Sequence, residues 1–482
     1  VDGGHVWLLP TAPKVCLIDA LSINSLSLTN RKGVDMRKHR IRSVLLGLLL
    51  ITALLAGCAA PVAPAGEGAG QAASAPAGEK TKVTWLMLVE WPGTDDVAAD
   101  FMADNPDIDL VLEKVAFNDL FQQIQIRLSS GSDTPDVLSV DVPLVAGYGI
   151  RNWLAPLDDL YTDAERADIL EAAYAAGSYE GSMIAAPQFT STQLLFINKE
   201  LFEQAGLPVP GPDDRLTYEQ IADLARQLTQ DADGDGVTDI WGFTWEQTIR
   251  IYQLQPMAES LGGQAIGDDG LTVEGIINSK PWVDAYTYYW KAFNEWKFAP
   301  PSDVNAPELF AQGKLAMMIA GPWQIQRYST MNNGAGPGFE WSVSRHPYFE
   351  GGEIVTPTGS WHIGINANSK NKEAAMRVVK WFTTSKGAEL WWRKASGDFP
   401  AQKSVLALFQ TDPQFQEGTF AYMKVAADEA TVNPVPRALT PGFLEYEQIL
   451  QTTFDDISKG ADVQSALDAA AQRIQREMDK YR

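Results

Sequence analysis

From Val83 onward, short runs of β-forming residues alternate with stretches whose apolar side chains fall three or four positions apart. This alternation narrows the fold more than any other feature of the chain. Val83–Val89 is rich in β-formers, and a second apolar stretch covers Ile108–Val115. Leu120, Ile124 and Leu128 then share one helical face, with Asn118 as the expected cap. Val137–Val140, Leu194–Ile197, Leu315–Ile319 and Trp361–Asn366 are further strand candidates. Thr217 and Gln220 have capping-box spacing ahead of a helix carrying Ile221, Leu224, Ala225 and Leu228. Val463, Leu467, Ala470, Ile474 and Met478 make one stripe of a C-terminal helix. Strands interleaved with helices predict an α/β fold and argue against a bundle or a sandwich.

What precedes Val83 has a different character. Arg37, Lys38, Arg40 and Arg42 stand before the apolar run Val44–Leu55, which leads through Ala56 and Gly57 into Cys58. A basic head, a short apolar run and small residues at the cut describe an export signal. The run is short for a membrane span, which needs about 20 apolar residues. Leu55–Ala56–Gly57–Cys58 resembles the bacterial lipobox, which implies lipidation of Cys58 as the new N-terminus. Met36 sits where an initiator belongs, so residues 1–57 are expected to comprise an over-extended start and a signal over 36–57. Residues 58–80, almost entirely Ala, Pro, Gly, Ser, Gln and Glu up to Glu79, bury too little apolar surface to fold and read as a flexible, lipidated tether.

Charge and cysteine usage exclude several functions. The chain has a formal charge of −23, and loss of a leader richer in Lys and Arg than in Asp and Glu makes it more acidic. Such a field repels nucleic acid and anionic headgroups. Of two cysteines, Cys16 leaves with the leader and Cys58 carries the lipid, so no disulfide and no cysteine nucleophile or metal site is expected in the mature chain. Only His346 and His362 remain beyond the leader, with no HExxH, Gly-x-Ser-x-Gly or Walker pattern. A carboxylate pair for glycoside hydrolysis has no sequence spacing by which to recognise it.

The positive signal is aromatic. Several of the 15 tryptophans stand beside Gly, Pro or polar residues at expected strand ends: Trp91, Trp245, Trp323 and Trp361. Ligands of open α/β sheets bind beyond the carboxyl ends of strands. A flat indole suits the C–H face of a sugar ring while neighbouring polar groups take its hydroxyls. A separate motif runs from Asp231 to Asp239. Asp231, Asp233, Asp235 and Asp239 occupy the spacing of a calcium loop, with Val237 offering its carbonyl. The departure is Gly242, standing where a bidentate Glu closes the loop. A structural Ca2+ is expected, with a solvated acidic turn as the alternative.

Several segments, in order, resemble the sugar-specific extracellular solute-binding proteins of ABC importers. They are Ser130–Gly131 with Pro135–Asp136–Val137, then Phe196–Leu207, then Ala316–Trp323, then Gly364–Asn366 with Ser369–Ala375. The resemblance implies two α/β lobes that close by a hinge on a ligand in the cleft. It places 81–190 and 358–404 in lobe 1 and 191–357 and 405–482 in lobe 2. Crossings then fall near Thr190–Gln193, Thr356–Ser360 and Ser404–Phe420. It gives Trp323 the sugar-stacking role and puts Asp141, Tyr148, Gln188, Ser191 and Trp245 along the cleft. Loop position adds Glu90, Trp91, Ser360, Trp361 and Arg437. The implied protein is no enzyme: a monomeric, lipid-anchored receptor outside the cytoplasm, it captures a sugar (α-glucosides first) and hands it to a membrane permease. A secreted glycosidase, a binder of another solute on the same fold and a purely structural lipoprotein are the rival readings.

Overall fold

A computed structural model describes residues 80–395 and 398–482. The export signal, the tether and Cys58 lie outside the described residues, as does the side chain of Ser360. No helix among the described residues is long and apolar enough to cross a membrane.

The chain enters through β1 (Thr81–Leu88), a helix Thr94–Asp104, β2 (Ile108–Val115), a helix Phe117–Ser129 and β3 (Val137–Asp141). A small hairpin of β4 (Ser178–Tyr179) and β5 (Ser182–Met183) precedes β6 (Ala185–Ser191). The next strands are β7 (Leu194–Asn198), β8 (Trp241–Trp245), β9 (Leu315–Ala320) and β10 (Trp341–Ser344). Then come β11 (Thr356–Ile365), β12 (Phe399–Pro400) and β13 (Pro434–Pro436). Two principal sheets result. One has the order β12-β6-β11-β3-β1-β2, with β13 on β11; the other has the order β10-β7-β9-β8. β1 is parallel to both β2 and β3, and β8 is parallel to β9, each pair linked through helices as parallel strands require.

The expected strands are present, and the C-terminal helix spans Val463–Met478. The capping box of Thr217 and Gln220 forms in both directions. One cap differs from expectation. The helix Phe117–Ser129 starts at Phe117 behind Ala116, not behind Asn118, and no side chain of its own caps it. Instead Glu90, from the loop after β1, accepts the Phe117 N–H at 3.0 Å. A carboxylate at a helix N-terminus is favourable wherever in the sequence it originates.

The crossings between sheets refine the hinge. The passage from β6 to β7 falls at Thr192–Gln193, within the expected Thr190–Gln193. The second passage lies earlier than expected, between Ser344 and Thr356, because β11 already begins at Thr356. Its first residues pair with β13, and its later ones with β6 and β3. After β12 the chain supplies Val405, Phe409 and Phe415 to the core beneath one face of the second sheet, beside Phe196, Met318 and Trp341. This passage toward the second sheet lies in the expected Ser404–Phe420 stretch; the chain then returns to the first sheet through β13, a return absent from the sequence expectation.

Candidate functional site

Strand ends of both sheets converge on a cavity of about 670 Å³. Glu90 and Trp91 follow β1, Asp141 ends β3, Ser191 ends β6, Glu246 follows β8, and Trp323 follows β9. These are carboxyl ends of strands, where an α/β sheet leaves its loops free to meet a ligand. The volume lies within the range of small-molecule sites.

One wall is built around Trp323. The indole lies over Gly321, where a Cβ would stand 2.1 Å from the ring, so Gly321 must lack a side chain. Glu246 fixes the other edge: its Oε1 accepts from Trp323 Nε1 at 2.6 Å and from Gln324 Nε2 at 2.7 Å. Burial pushes the Glu246 carboxyl above its ordinary pKa, against the pull of those two hydrogen bonds. Tyr252 stacks beside Trp323 with centroids 6.3 Å apart. Its hydroxyl is 3.0 Å from Ser191 Oγ.

The opposite wall carries Trp361, on β11, and Trp91. Their rings meet edge to face at 5.2 Å, and Trp361 stacks on Phe121 at 6.3 Å. Trp91 is mostly buried, so Trp361 offers the larger indole surface there. Arg250 reaches across from the second sheet's side, its guanidinium 4.7 Å from the ring centroid of Phe117. A 2.9 Å ion pair with Glu447 holds it there.

Arg437 and Asp141 form a two-pronged ion pair at the cavity wall, with Nη1 donating to Oδ2 at 2.8 Å and Nη2 donating to Oδ1. Burial disfavours the charge of Arg437, yet the Asp141 carboxylate outweighs it and raises the guanidinium pKa. The same guanidinium lies 5.1 Å from the Tyr252 ring centroid. Arg437 therefore ties the end of β3 in one sheet to the Tyr252–Trp323 pair of the other.

The structure brings Glu90, Trp91, Asp141, Ser191, Trp323, Trp361 and Arg437 to this cavity. It places Trp245, Tyr148 and Gln188 elsewhere. Trp245 is fully buried against Phe243 and Tyr289, because the last residue of β8 points into the core and Glu246 turns outward. Tyr148 packs on Trp153 in the core, and Gln188 is enclosed within β6. Sequence reasoning missed Phe117, Gln247, Arg250, Tyr252, Gln324, Arg327 and Asp398, and had Glu246 only as the neighbour of Trp245. Position beside an aromatic at a strand end was the available signal for Glu246; Arg250 and Tyr252 carry none.

In the acidic loop, one carboxylate oxygen each of Asp231, Asp233 and Asp239 fall within 4.8 Å of one another. Asp235 is outside this group; its Oδ1 accepts the Val237 N–H at 2.7 Å. Asp231 accepts the N–H groups of Gly234 and Gly236 at 2.7 and 2.8 Å. Gly242 cannot supply a closing carboxylate for a structural reason: a Cβ there would sit 2.1 Å from the Ala225 carbonyl oxygen, where β8 packs on the helix Tyr218–Leu228.

A cleft between two sheets, lined from both by indoles and polar groups, is the arrangement of a solute-binding protein of two α/β lobes. The chain belongs to the bacterial extracellular solute-binding proteins, whose family pattern matches residues 92–389. It is 23% identical over 332 residues to the maltotriose-binding protein of Pyrococcus abyssi, across 68% of this chain and 66% of that one, just under two thirds of its length. It is 23% identical over 410 residues to the galactooligosaccharide-binding protein of Bacillus subtilis, across 81% and 87%. An ABC substrate-binding protein from Listeria monocytogenes, solved in complex with cycloalternan, superposes with a TM-score of 0.72 at 22% identity, covering 83% of this chain and 100% of that one. At that identity the likeness speaks for the fold alone.

Proposed function

We propose that this chain is the receptor of an ABC importer for a carbohydrate or polyol, α-glucosides being the first class to try. The observation that carries the reading is the pair of indoles, Trp323 and Trp361, lining one cavity from different sheets. Stacking faces flanked by Glu90, Glu246 and Gln324 suit a polyhydroxylated ring. Ligand contacting both walls favours the closed arrangement, because only that arrangement makes every contact. A lipid on Cys58 and the tether behind it would hold the receptor, as a monomer, at the outer face of the membrane, where proximity favours docking on the permease. Binding without turnover is what membership of the solute-binding family supports. Asp141 is committed to Arg437, and recovery of the intact sugar separates binding from hydrolysis by any remaining carboxylate pair.

The test is a thermal-shift screen of the purified chain against mono- and oligosaccharides and polyols, with recovery of the added compound. A ligand that binds only the folded state raises the melting temperature by mass action. A shift with the sugar recovered intact supports the receptor; release of cleaved sugar supports a glycosidase; no shift with any compound moves the reading to another solute.

We further propose a structural Ca2+ on Asp231, Asp233 and Asp239, with the Val237 carbonyl and Asp235 as additional oxygen donors. What supports it is the mutual approach of three carboxylates, which a divalent cation offsets. Lacking an acid at Gly242, the site is expected to be weak. EGTA should lower the melting temperature of the wild type by a few degrees and leave Asp231→Asn unmoved. An identical curve with EGTA and with excess calcium removes the metal.

A further inference from the structure

The cavity wall has more carboxylates than guanidinium groups, and its guanidinium groups already have partners. Four acids line it, Glu90, Asp141, Glu246 and Asp398, against Arg250, Arg327 and Arg437. Arg437 is held by Asp141, and Arg250 by Glu447, both pairs largely buried. Arg327, on the rim, pairs with Glu308 at 3.1 Å. The two buried arginines of the wall, Arg250 and Arg437, could receive a phosphate or carboxylate only by giving up an acid, whereas Arg327 is held loosely at the solvated rim. Breaking a buried pair leaves its partner uncompensated, which is costly. Among the described residues neither Glu90 nor Glu246 forms a salt bridge, although Arg327 acts on Glu246 from a distance: Glu90 accepts the Phe117 N–H, and Glu246 accepts from Trp323 and Gln324. They belong to opposite sides, Glu90 following a strand of the first sheet and Glu246 one of the second.

Taking the carbohydrate reading as its basis, we propose that charge is the first filter on this cavity: it accepts neutral and amine-bearing glycans or polyols and rejects uronates and sugar phosphates. Closure brings acids of both lobes toward the ligand. A neutral ligand replaces water at their oxygens through its hydroxyls, and a protonated amine also offsets their mutual repulsion. An anion adds a like charge where the surroundings screen it poorly, and like charges in a site of low polarity repel more strongly than in bulk water. Recognition of an anionic sugar would instead call for an unpaired, bidentate arginine.

The experiment measures binding of the purified chain to maltotriose, mannitol and a glucosamine trimer, beside trigalacturonate and mannitol 1-phosphate. Melting shifts come first, and calorimetry follows for any probe that responds. A neutral or amine-bearing probe is expected to bind at least about tenfold tighter than the anionic probes. The double variant Glu90→Gln, Glu246→Gln should narrow that gap, since glutamine keeps an acceptor for Trp323 Nε1 while removing the charge. An anionic probe that binds as tightly as its neutral counterpart overturns the charge filter and leaves the carbohydrate reading standing. Silence from all five probes removes both together.

Discussion

Trp323 depends on a residue 77 positions away for its orientation, since its indole N–H is spent on Glu246. The indole presents a face because one edge is pinned and Gly321 beneath it is bare. Trp323→Ala should weaken sugar binding about tenfold or more while the melting temperature moves little, stacking faces being worth on the order of 1 kcal/mol each beyond their burial. Glu246→Ala should weaken binding in the same direction through a loosened indole. Titration calorimetry of both variants checks this, and unchanged affinity in Trp323→Ala takes the residue out of the site. A second residue sets a pH dependence. Glu259 is pushed up to about 7 by burial, with only Gln255 as a hydrogen-bond partner opposing the shift. An acid whose folded pKa exceeds its unfolded value near 4.5 binds its proton more tightly when folded. Stability is therefore fullest below about pH 4.5 and declines as pH rises through about 7. Glu259→Gln should remove that decline, gaining up to roughly 3 kcal/mol over the wild type at pH 8 but little at pH 4.5. Urea unfolding at the two pH values gives the comparison, and parallel curves exclude the effect.

At the scale of elements, the base of the cleft is held by charge across long chain separations. Asp141 and Arg437 are 296 positions apart, yet they join the end of β3 to the segment just after β13. Their side chains are 4% and 7% exposed, whereas Arg327 and Glu308 on the rim are 39% and 51% exposed. That contrast decides the size of the effect. Arg437→Ala leaves a buried carboxylate unpaired and should destabilise by about 3 kcal/mol or more. Arg327→Ala should cost less than about 1 kcal/mol, because water screens its pair. Equal costs in chemical denaturation would mean that Asp141 finds another partner or takes up a proton. β13 is also held across a long chain separation, though by backbone and amide hydrogen bonds: it pairs with the first residues of β11, and Gln255 donates to the Pro436 carbonyl at 2.8 Å.

For the whole molecule, the consequence is a two-sheet body whose cavity is lined from both sides and whose crossings are few. A sugar that raises the melting temperature should also reduce the radius of gyration in solution scattering, because closure brings the walls together. A ligand that binds with an unchanged scattering curve would describe a rigid receptor. Much of this body was legible in the sequence. Continuous runs of apolar and β-forming residues located β1, β3, β7 and β9, which are buried on both faces, and the spacing of one apolar stripe located the C-terminal helix. The ordered segments around Pro135–Val137, Phe196–Leu207 and Ala316–Trp323 were enough to place the chain in its family. Expected strand-end position pointed to Trp91, Trp323 and Trp361 on the cavity, although Trp361 lies within β11, and it pointed equally to the buried Trp245. What only the tertiary structure decided is which polar groups meet. Whether Trp245 or Glu246 faces the cavity turns on the pleat at the last residue of β8, one position that sequence periodicity does not fix. Glu90 capping a helix 27 positions on, Glu246 holding Trp323, and Arg437 closing on Asp141 are encounters between distant segments. Local patterning records how each segment buries its own apolar face, but not which partner stands opposite; that follows from the packing of the sheets.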